Sequence, residues 1–377
     1  MRIISYEAGG ETEDQLNFSK INFRKMNLIV GDSATGKTRL LNTIFNGAAF
    51  VVQKEKKLFL GHWDMILEHS SNQYHWVLET AKPEGDEEGK VVKEHLSIIE
   101  GDTKNVLVDR TSDSFIYKGD ELPKLPPSES SISLLQNEDL IKPLYNGLSL
   151  IMRRNFSGPA LVEETSYQTV PQKFLKKIKK TRDLYDLFSA NLNLSCALYI
   201  LSEVFNDIYE KVCSEFKATF PFVTDVKILE ADKFGFHFPG IVPVFALKEK
   251  FHKKWIQLNE FSAGMTKVLL ILTDIFRLPK EGAVYLIDEY ENSLGVSAIN
   301  FFPNVLFETE SQSQFIITSH HPYIIGNVPI KDWVILHRKG NSVLVKQGKE
   351  LEERFSKSKQ KAFIQLINDP FYSEGVE

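Results

Sequence analysis

The distribution of hydrophobic and polar residues changes along the chain, and each pattern predicts different elements. β-Type segments around Ile3–Tyr6 and at Met26–Val30 lead into a glycine-flanked turn and a helix over roughly Lys37–Asn46. From about Leu58 to Tyr117, short segments of alternating hydrophobic and polar residues are separated by Asn, Gly, Asp and Lys. This alternation is typical of half-buried strands, so we predict an antiparallel meander.

The second half of the chain changes from a helical period to alternating helices and apolar strands. Residues 136–220 show the helical period, and strands are predicted again near Val223–Glu230 and Val242–Leu247. After Ser262 a helix over Lys267–Phe276 comes first. Three uniformly apolar segments follow, at Ala283–Ile287, Phe315–Thr318 and Trp333–His337. Such strands, alternating with helices, are typical of a parallel sheet buried on both faces. The predicted fold class is therefore α/β, a mixed sheet with an antiparallel meander and a helical lobe.

Composition and charge exclude several classes of protein. Of the 377 residues, 42% are hydrophobic and 25% are charged, so the chain is neither disordered nor collagen-like. No apolar run approaches the roughly 18 to 20 residues that cross a bilayer, and the N-terminus does not resemble a signal peptide. Two cysteines, Cys196 and Cys213, are too few for a disulfide framework or a four-ligand zinc site. We therefore expect a cytoplasmic protein. Because the net charge is −5, contact with nucleic acid would require a local basic patch.

A glycine-rich segment between the second strand and the first helix predicts a phosphate-binding loop. It fits the pattern G-x-x-x-x-G-K-[ST] and consists of Gly31, Asp32, Ser33, Ala34, Thr35, Gly36, Lys37 and Thr38, followed by Arg39. An apolar strand before the pattern and a helix after it are the context that this motif requires. Backbone N–H groups would surround the β-phosphate, Lys37 would reach the β- and γ-phosphates, and the Thr38 hydroxyl would ligate Mg²⁺.

A second part of this site is predicted where an apolar strand ends in two carboxylates, Asp288 and Glu289. A buried parallel strand brings the residue at its carboxyl end beside the phosphate loop. There Asp288 can hold the Mg²⁺ shell directly or through water, and Glu289 can polarise a water for attack on the γ-phosphate. Apolar strands that end in acids are common, so this signal depends on the phosphate loop some 250 residues upstream.

Two further segments, in this order, resemble those of ABC-type ATPases. A signature S-x-G, formed by Ser262 and Gly264, opens an apolar helix before the acidic strand, and His320 follows the strand after it. The resemblance implies that Ser262 and Gly264 contact the γ-phosphate of ATP held by an opposite subunit. It implies that His320 is a switch residue sensing the same phosphate, and that Glu291–Leu294 forms a D-loop crossing the dimer interface.

The same resemblance implies a Q-loop glutamine that contributes to the nucleotide and Mg²⁺ site. Gln136, after the meander and at the start of the helical region, is the preferred candidate. Gln53 is the competing candidate.

Within this class the chain resembles the SMC-like ATPases of the overcoming-lysogenisation-defect (OLD) type, whose relatives include ATPase subunits of bacterial anti-phage operons. The resemblance covers the segment 17–30, the meander, the helical insertion and the closing ATPase half. It implies a P-loop NTPase fold of the ABC/SMC head type. The chain departs from the family pattern at Ser33, Phe261, Met265 and Tyr290. These departures concern the rate of hydrolysis more than nucleotide binding.

The resemblance also implies a homodimer or higher homo-oligomer in which two subunits enclose two ATP molecules. About 55 residues follow His320, too few for the Toprim nuclease domain that follows the ATPase in OLD proteins. We therefore expect an ATP-dependent switch that controls a separate nuclease or toxin from the same operon. The alternative is an SMC-like DNA-binding ATPase of DNA repair. A transporter subunit fits least, because the long meander exceeds what such a subunit needs.

We expect the chain to divide into three parts. Residues 1–135 would form the first ATPase lobe with the phosphate loop and meander, 136–255 a helical lobe, and 256–377 the half with the signature, acidic strand and switch histidine. In the second part, Gln172–Arg182 carries six cationic residues. As a helix it would present a basic face to nucleic-acid phosphates or form an ordinary solvated face over an apolar stripe.

Overall fold

The computed structural model describes residues 1–10, 15–52, 58, 60–82, 89–154, 156, 158–292, 294–295, 312–355, 359–374 and 376. The β-strands are β1 (Arg2–Gly9), β2 (Asn17–Asn22), β3 (Met26–Val30), β4 (Gly61–His69), β5 (Asn72–Ala81), β6 (Lys90–Glu100), β7 (Thr103–Thr111), β8 (Phe115–Tyr117), β9 (Asp120–Glu121), β10 (Ile151–Arg154), β11 (Val223–Glu230), β12 (Pro243–Glu249), β13 (His252–Gln257), β14 (Val284–Ile287), β15 (Gln314–Thr318), β16 (Trp333–Lys339) and β17 (Ser342–Gln347).

The α-helices are α1 (Lys37–Val52), α2 (Ser131–Leu134), α3 (Lys142–Leu148), α4 (Gly158–Thr165), α5 (Gln172–Thr181), α6 (Leu184–Ser189), α7 (Leu194–Val204), α8 (Asn206–Thr219), α9 (Ala263–Phe276), α10 (Pro322–Asn327), α11 (Lys359–Ile367) and α12 (Pro370–Ser373).

The large sheet has the strand order β10-β14-β15-β3-β16-β17-β2-β1-β4-β5-β6-β7-β8-β9, and β11, β12 and β13 form a separate antiparallel sheet. At one end of the large sheet, β10, β14, β15, β3 and β16 are parallel neighbours. Every residue of β3, β14 and β15 is buried, as expected for parallel strands covered on both faces. Since parallel strands end at the same edge, the residues after positions 30, 287 and 318 come together there.

The predicted meander is confirmed as the antiparallel series from β4 to β9. Along β4 the side chains of Trp63, Met65 and Leu67 are buried, while those of the residues between them are half-buried. This is the two-residue period of a sheet with one covered face. The mixed α/β fold class predicted from the sequence is therefore observed, with the meander continuing the same sheet as the parallel strands.

The described residues group into two compact units. The first comprises Met1–Arg154, Glu281–Tyr290 and Gln312–Glu377 and contains the large sheet. The second comprises Asn155–Lys280 and Glu291–Ser311 and contains α4 to α9 and the smaller sheet. Both units combine segments that are separate in the sequence, whereas the three predicted parts are continuous segments. The three-part division stays a prediction.

The helical region predicted over residues 136–220 contains one strand that the pattern did not predict, β10. Its four residues pair in parallel with β14, with Ile151 opposite Val284 and Arg154 opposite Ile287. A segment this short carries no measurable period, and pairing with a distant buried strand decides its conformation. The separate strands predicted near Val223–Glu230 and Val242–Leu247 are confirmed as β11 and β12.

Both cysteines are buried free thiols. Burial raises the pKa of the Cys196 thiol to about 12 and that of Cys213 to about 11, so neither is an activated nucleophile. Within the described part of the chain, none of the helices has the length and apolar character needed to cross a bilayer.

Candidate functional site

The phosphate loop lies between β3 and α1, as the motif requires. Lys37 is 7% exposed, and its Nζ donates hydrogen bonds to the carbonyl oxygens of Gly31 at 2.9 Å and Asp32 at 2.7 Å. The lysine amine is therefore held against the backbone of its own loop. The loop ends at the first turn of α1, where unpaired N–H groups and the helix dipole favour an anion.

Both glycines of the motif are required by the conformation of the loop. Gly36 has a φ of +101°, and a Cβ there would lie 2.7 Å from Leu16 Cδ1. A Cβ on Gly31 would lie 2.8 Å from the carbonyl oxygen of Leu336. Ala34 also has a left-handed φ of +64°. Buried Thr35 closes the turn, because its Oγ1 donates to the carbonyl oxygen of Asp32 at 2.9 Å.

Asp288, at the end of β14, is the centre of a hydrogen-bonded cluster with the phosphate loop. Its Oδ1 accepts a hydrogen bond from Thr38 Oγ1 at 3.1 Å and another from Thr318 Oγ1 at 2.8 Å. On its other side, Asp288 Oδ2 lies 4.0 Å from Arg153 Nη2, at the end of β10. Thus the structure brings together Thr38 and Asp288, which are 250 residues apart in sequence.

Glu289 follows Asp288 in an unusual backbone conformation, with a φ of +44°. Its backbone N–H donates to Thr318 Oγ1 at 2.7 Å. The Thr318 hydroxyl therefore accepts a hydrogen bond from the Glu289 backbone and donates one to Asp288 Oδ1. These two bonds fix the positions of the two acidic residues relative to β15. The side chain of Glu289 is exposed at the site, where it can reach solvent water.

A cavity of about 360 Å³ joins these residues. It is lined by Leu16, Ser33, Ala34, Gly36, Lys37, Thr38, Arg39, Asp288, Glu289, Thr318, His320 and Arg338. Exposed His320 directly follows buried Ser319 beyond the end of β15, so it reaches the cavity at the edge where β3 and β14 also end. The arrangement combines a lysine, two arginines, a histidine and backbone N–H groups with two carboxylates, which suits a polyphosphate carrying a divalent cation.

Gln136 is half-buried in the turn after α2, and it is not among the described residues that line this cavity. The assignment of Gln136 to the Q-loop stays a prediction. The competing candidate, Gln53, lies outside the described residues, as does Ser293 of the expected D-loop.

The signature residues belong to the second unit. Exposed Ser262 caps α9, and its Oγ accepts a hydrogen bond from the backbone N–H of Met265 at 3.3 Å. Gly264 lies in the first turn of the same helix. About one turn into α9, Lys267 is fully buried, and its Nζ donates to the backbone carbonyl of Asn292 at 2.8 Å. The signature helix is thereby tied to the segment where the D-loop is expected.

Sequence reasoning missed four residues of the cavity and its surroundings: Thr318, Arg153, Arg338 and Leu16. Thr318 could have been found, because it stands two residues before His320 in a segment already selected. Arg338 approaches the loop through a hydrogen bond from its Nη1 to the carbonyl oxygen of Ala34 at 3.3 Å. The other two are placed by β10 and by the approach of residue 16 to Gly36, which no local pattern reveals.

The residues present fit a Mg²⁺ ion of the kind that accompanies a nucleotide. Thr38 and Asp288 offer a hydroxyl and a carboxylate oxygen on adjacent elements, and a nucleotide phosphate would complete such a shell. Within the described ranges there is no group of three or more His, Cys, Asp or Glu residues arranged to hold a metal by themselves.

A buried parallel sheet that ends in a phosphate loop and an acidic strand defines the class of P-loop nucleotide-binding proteins. A family model described as "AAA domain, putative AbiEii toxin, Type IV TA system" matches residues 80–326. The chain belongs to this AAA domain family, which confirms the AAA ATPase class expected from the sequence. The family match does not favour the alternative of an SMC-like ATPase in DNA repair.

Solved structures similar to this chain include SMC head domains. An SmcHead bound to the C-winged helix domain of ScpA has 13% identity and a TM-score of 0.47, covering 92% of this chain and 97% of that one. A Pyrococcus furiosus Smc head domain with an extended coiled coil, bound to the C-terminal domain of ScpA, has 12% identity and a TM-score of 0.47, with 93% and 98% covered. The Thermotoga maritima SMC head domain has 10% identity and a TM-score of 0.40, with 92% and 99% covered. No curated protein sequence matches the chain.

Proposed function

We propose that the protein binds and hydrolyses ATP as an ABC-type, dimerising molecular switch. The observation that carries this proposal is the cluster at Asp288. One carboxylate oxygen there accepts hydrogen bonds from Thr38, at the start of α1, and from Thr318 of β15. This arrangement holds three separate parts of the chain around one cavity that also contains Lys37. If the glycine-rich loop were only a turn between β3 and α1, the ends of β14 and β15 would not need to meet it around a cavity.

Each residue then has a definite role in the reaction. Lys37 would exchange its two carbonyl partners for β- and γ-phosphate oxygens, and Thr38 and Asp288 would hold Mg²⁺. Bound Mg²⁺ supplies charge neutralisation at these phosphates. Glu289 would act as the general base for the attacking water, and its exposed carboxylate is compatible with that role. His320 would contact the γ-phosphate and sense its loss.

Dimerisation would complete the site from a second copy of the chain. Ser262 and Gly264 would contact the γ-phosphate bound by the partner, because the amino end of α9 presents partly unpaired N–H groups that favour an anion. The hydrogen bond from Lys267 to Asn292 would keep this helix and the segment 291–294 at a constant spacing while the dimer opens and closes.

The switch would control a separate effector, a nuclease or toxin from the same operon, in bacterial anti-phage defence. The toxin-associated description of the matching family supports this, although that description concerns the family rather than this chain. We further propose that the protein works in the cytoplasm as a homodimer or higher homo-oligomer.

The variant Glu289→Gln tests the proposed function. The amide keeps the size of the side chain but removes the base, so ATP binding should persist while hydrolysis falls by ~10²-fold or more. ATP should then trap the closed dimer, which size-exclusion chromatography would detect as a species of doubled or greater mass. Asp64→Asn, on the meander, is the matched carboxylate-to-amide control and should hydrolyse ATP at the wild-type rate.

A monomer of Glu289→Gln that hydrolyses ATP normally would refute the two-subunit mechanism. The effector is tested separately by co-expressing the neighbouring genes with tagged wild-type protein and tagged Glu289→Gln. A nuclease or toxin should be retained in amounts that differ between the open and trapped states. Retention of no operon product by either form would refute control of a separate effector while leaving the ATPase proposal in place.

A further inference from the structure

Helix α5, in the second unit, presents a strongly cationic surface that the nucleotide site does not use. The helix contains Lys173, Lys176, Lys177, Lys179 and Lys180, and Arg182 follows as its left-handed C-cap. All six cationic side chains are exposed, and the helix contains no acidic residue. This local excess contrasts with the net charge of −5 for the whole chain.

Three of the six cations are engaged within the protein. Lys177 forms a salt bridge with Asp186 at 2.7 Å, and Lys179 forms one with Glu203 at 2.8 Å. The guanidinium of Arg182 lies 5.8 Å from the ring centroid of Phe205. In the described part of the chain, the side chains of Lys173, Lys176 and Lys180 form no salt bridge or hydrogen bond.

The three unengaged lysines lie on one face of the helix. At 3.6 residues per turn, positions 173, 176 and 180 fall within a sector of about 60° and span about 10 Å along the axis. Leu175 and Ile178, on the opposite face, are buried at 5% and 0% exposure. The helix is thus anchored by its apolar face and presents a row of free ammonium groups to solvent.

We propose that this row, Lys173, Lys176 and Lys180, binds the phosphate backbone of double-stranded nucleic acid, independently of base sequence. A duplex carries a negative charge about every 1.7 Å of its axis, so a straight row of lysines can contact several phosphates at once. This proposal does not rest on the proposed ATP-dependent function.

The residues around these three lysines favour a nucleic-acid duplex over other polyanions as the ligand. The apolar residues of α5 point into the core, so the row has no exposed hydrophobic side chain to insert into a membrane. Phe174 is half-buried and leaves no open aromatic platform on which single-stranded bases could stack. Charge complementarity without apolar or aromatic contacts is the character of non-specific duplex binding.

The test compares Lys173→Gln/Lys176→Gln/Lys180→Gln with the wild-type chain by fluorescence anisotropy, using a labelled 30-base-pair DNA duplex over a range of salt concentrations. Loss of three phosphate contacts should reduce the slope of log Kobs against log salt by about 2.7. Affinity at about 0.1 M salt should fall on the order of 10²-fold. Lys20→Gln/Lys142→Gln/Lys331→Gln, which removes three exposed lysines of the first unit, should retain wild-type binding.

Both triple variants should have the wild-type circular dichroism spectrum and thermal unfolding midpoint, which shows that they are folded. An RNA duplex of the same length should respond to the α5 substitutions in the same way, since both duplexes present phosphates. The proposal is overturned if the wild type binds no duplex, or if the α5 variant and the control lose affinity equally. It is also overturned if a single strand or an anionic phosphatidylserine vesicle, rather than the duplex, accounts for the binding that the α5 substitutions remove.

Discussion

At the scale of single residues, Thr318 is the side chain whose role follows most directly from its hydrogen bonds. Its hydroxyl accepts from the backbone N–H of Glu289 and donates to Asp288 Oδ1, at 2.7 and 2.8 Å. Glu289 has a left-handed φ, a conformation that carries strain outside glycine and depends on its surroundings. We infer that Thr318 positions both carboxylates rather than contacting the substrate.

We therefore predict that Thr318→Val lowers the rate of ATP hydrolysis by about 10- to 100-fold. Valine keeps the branched shape but removes a hydrogen bond to a charged acceptor, which contributes roughly 1.5–3 kcal/mol. Thr318→Ser keeps the hydroxyl and should hydrolyse ATP within a few-fold of the wild-type rate. Steady-state phosphate release measures both variants. If Thr318 had a purely structural role, Thr318→Val would have lower thermal stability. Its hydrolysis rate per folded molecule would then equal that of Thr318→Ser.

At the scale of elements, α9 connects the signature to the segment after the acidic strand. Lys267 is fully buried, its Nζ donates to the carbonyl oxygen of Asn292 at 2.8 Å, and it lies 4.2 Å from the ring centroid of Phe156. A buried ammonium has a high desolvation cost, so a buried lysine that donates to the backbone of a distant segment indicates a specific positioning role.

We predict that Lys267→Met preserves ATP binding but weakens ATP-dependent dimerisation by about tenfold or more. Methionine keeps the length of the side chain and the packing, but it cannot donate to the carbonyl of Asn292, so the expected D-loop is released from α9. Analytical ultracentrifugation with and without ATP would measure this change. The control is Lys211→Met, which removes an exposed lysine stacked on Phe276 at 4.7 Å. Equal dimerisation of both variants and the wild type would contradict the positioning role.

At the scale of the whole molecule, the proposed site is shared between two copies of the chain, and this can be tested by mixing two inactive variants. Lys37→Ala removes the main side-chain counter-charge of the phosphates, and Gly264→Asp places an anion where the partner's γ-phosphate would lie. Each homodimer should be inactive, since repulsion at a desolvated phosphate lowers affinity by on the order of 10³-fold. In a mixed dimer, one site combines both defects and the other has neither.

Mixing the purified variants should therefore restore measurable ATP hydrolysis. Phosphate release by each variant alone gives the background, and mass photometry shows whether heterodimers form. A Gly264→Asp homodimer with normal activity would show that the signature does not act in trans. Heterodimers without recovered activity would contradict the prediction that one intact site suffices.

The sequence predicted the parts of this protein whose conformation depends on neighbouring residues. The phosphate loop, the fully buried strands β3, β14 and β15 and the alternating strands of the meander all carry short-range patterns. The loop motif needs glycine at positions where a Cβ would clash, so residue type and backbone conformation are coupled locally. The convergence of the phosphate loop and the acidic strand could be expected because parallel strands end at one edge.

The tertiary structure alone decided which distant residues meet. β10 is a strand because it pairs with β14, and through that pairing Arg153 comes within 4.0 Å of Asp288. Likewise, six cations were visible in the segment 172–182, but only the folded unit shows that Lys177 and Lys179 are paired and that three lysines on one face are not. These outcomes depend on contacts between residues far apart in the chain, and such contacts leave no periodic signal in either partner's own sequence.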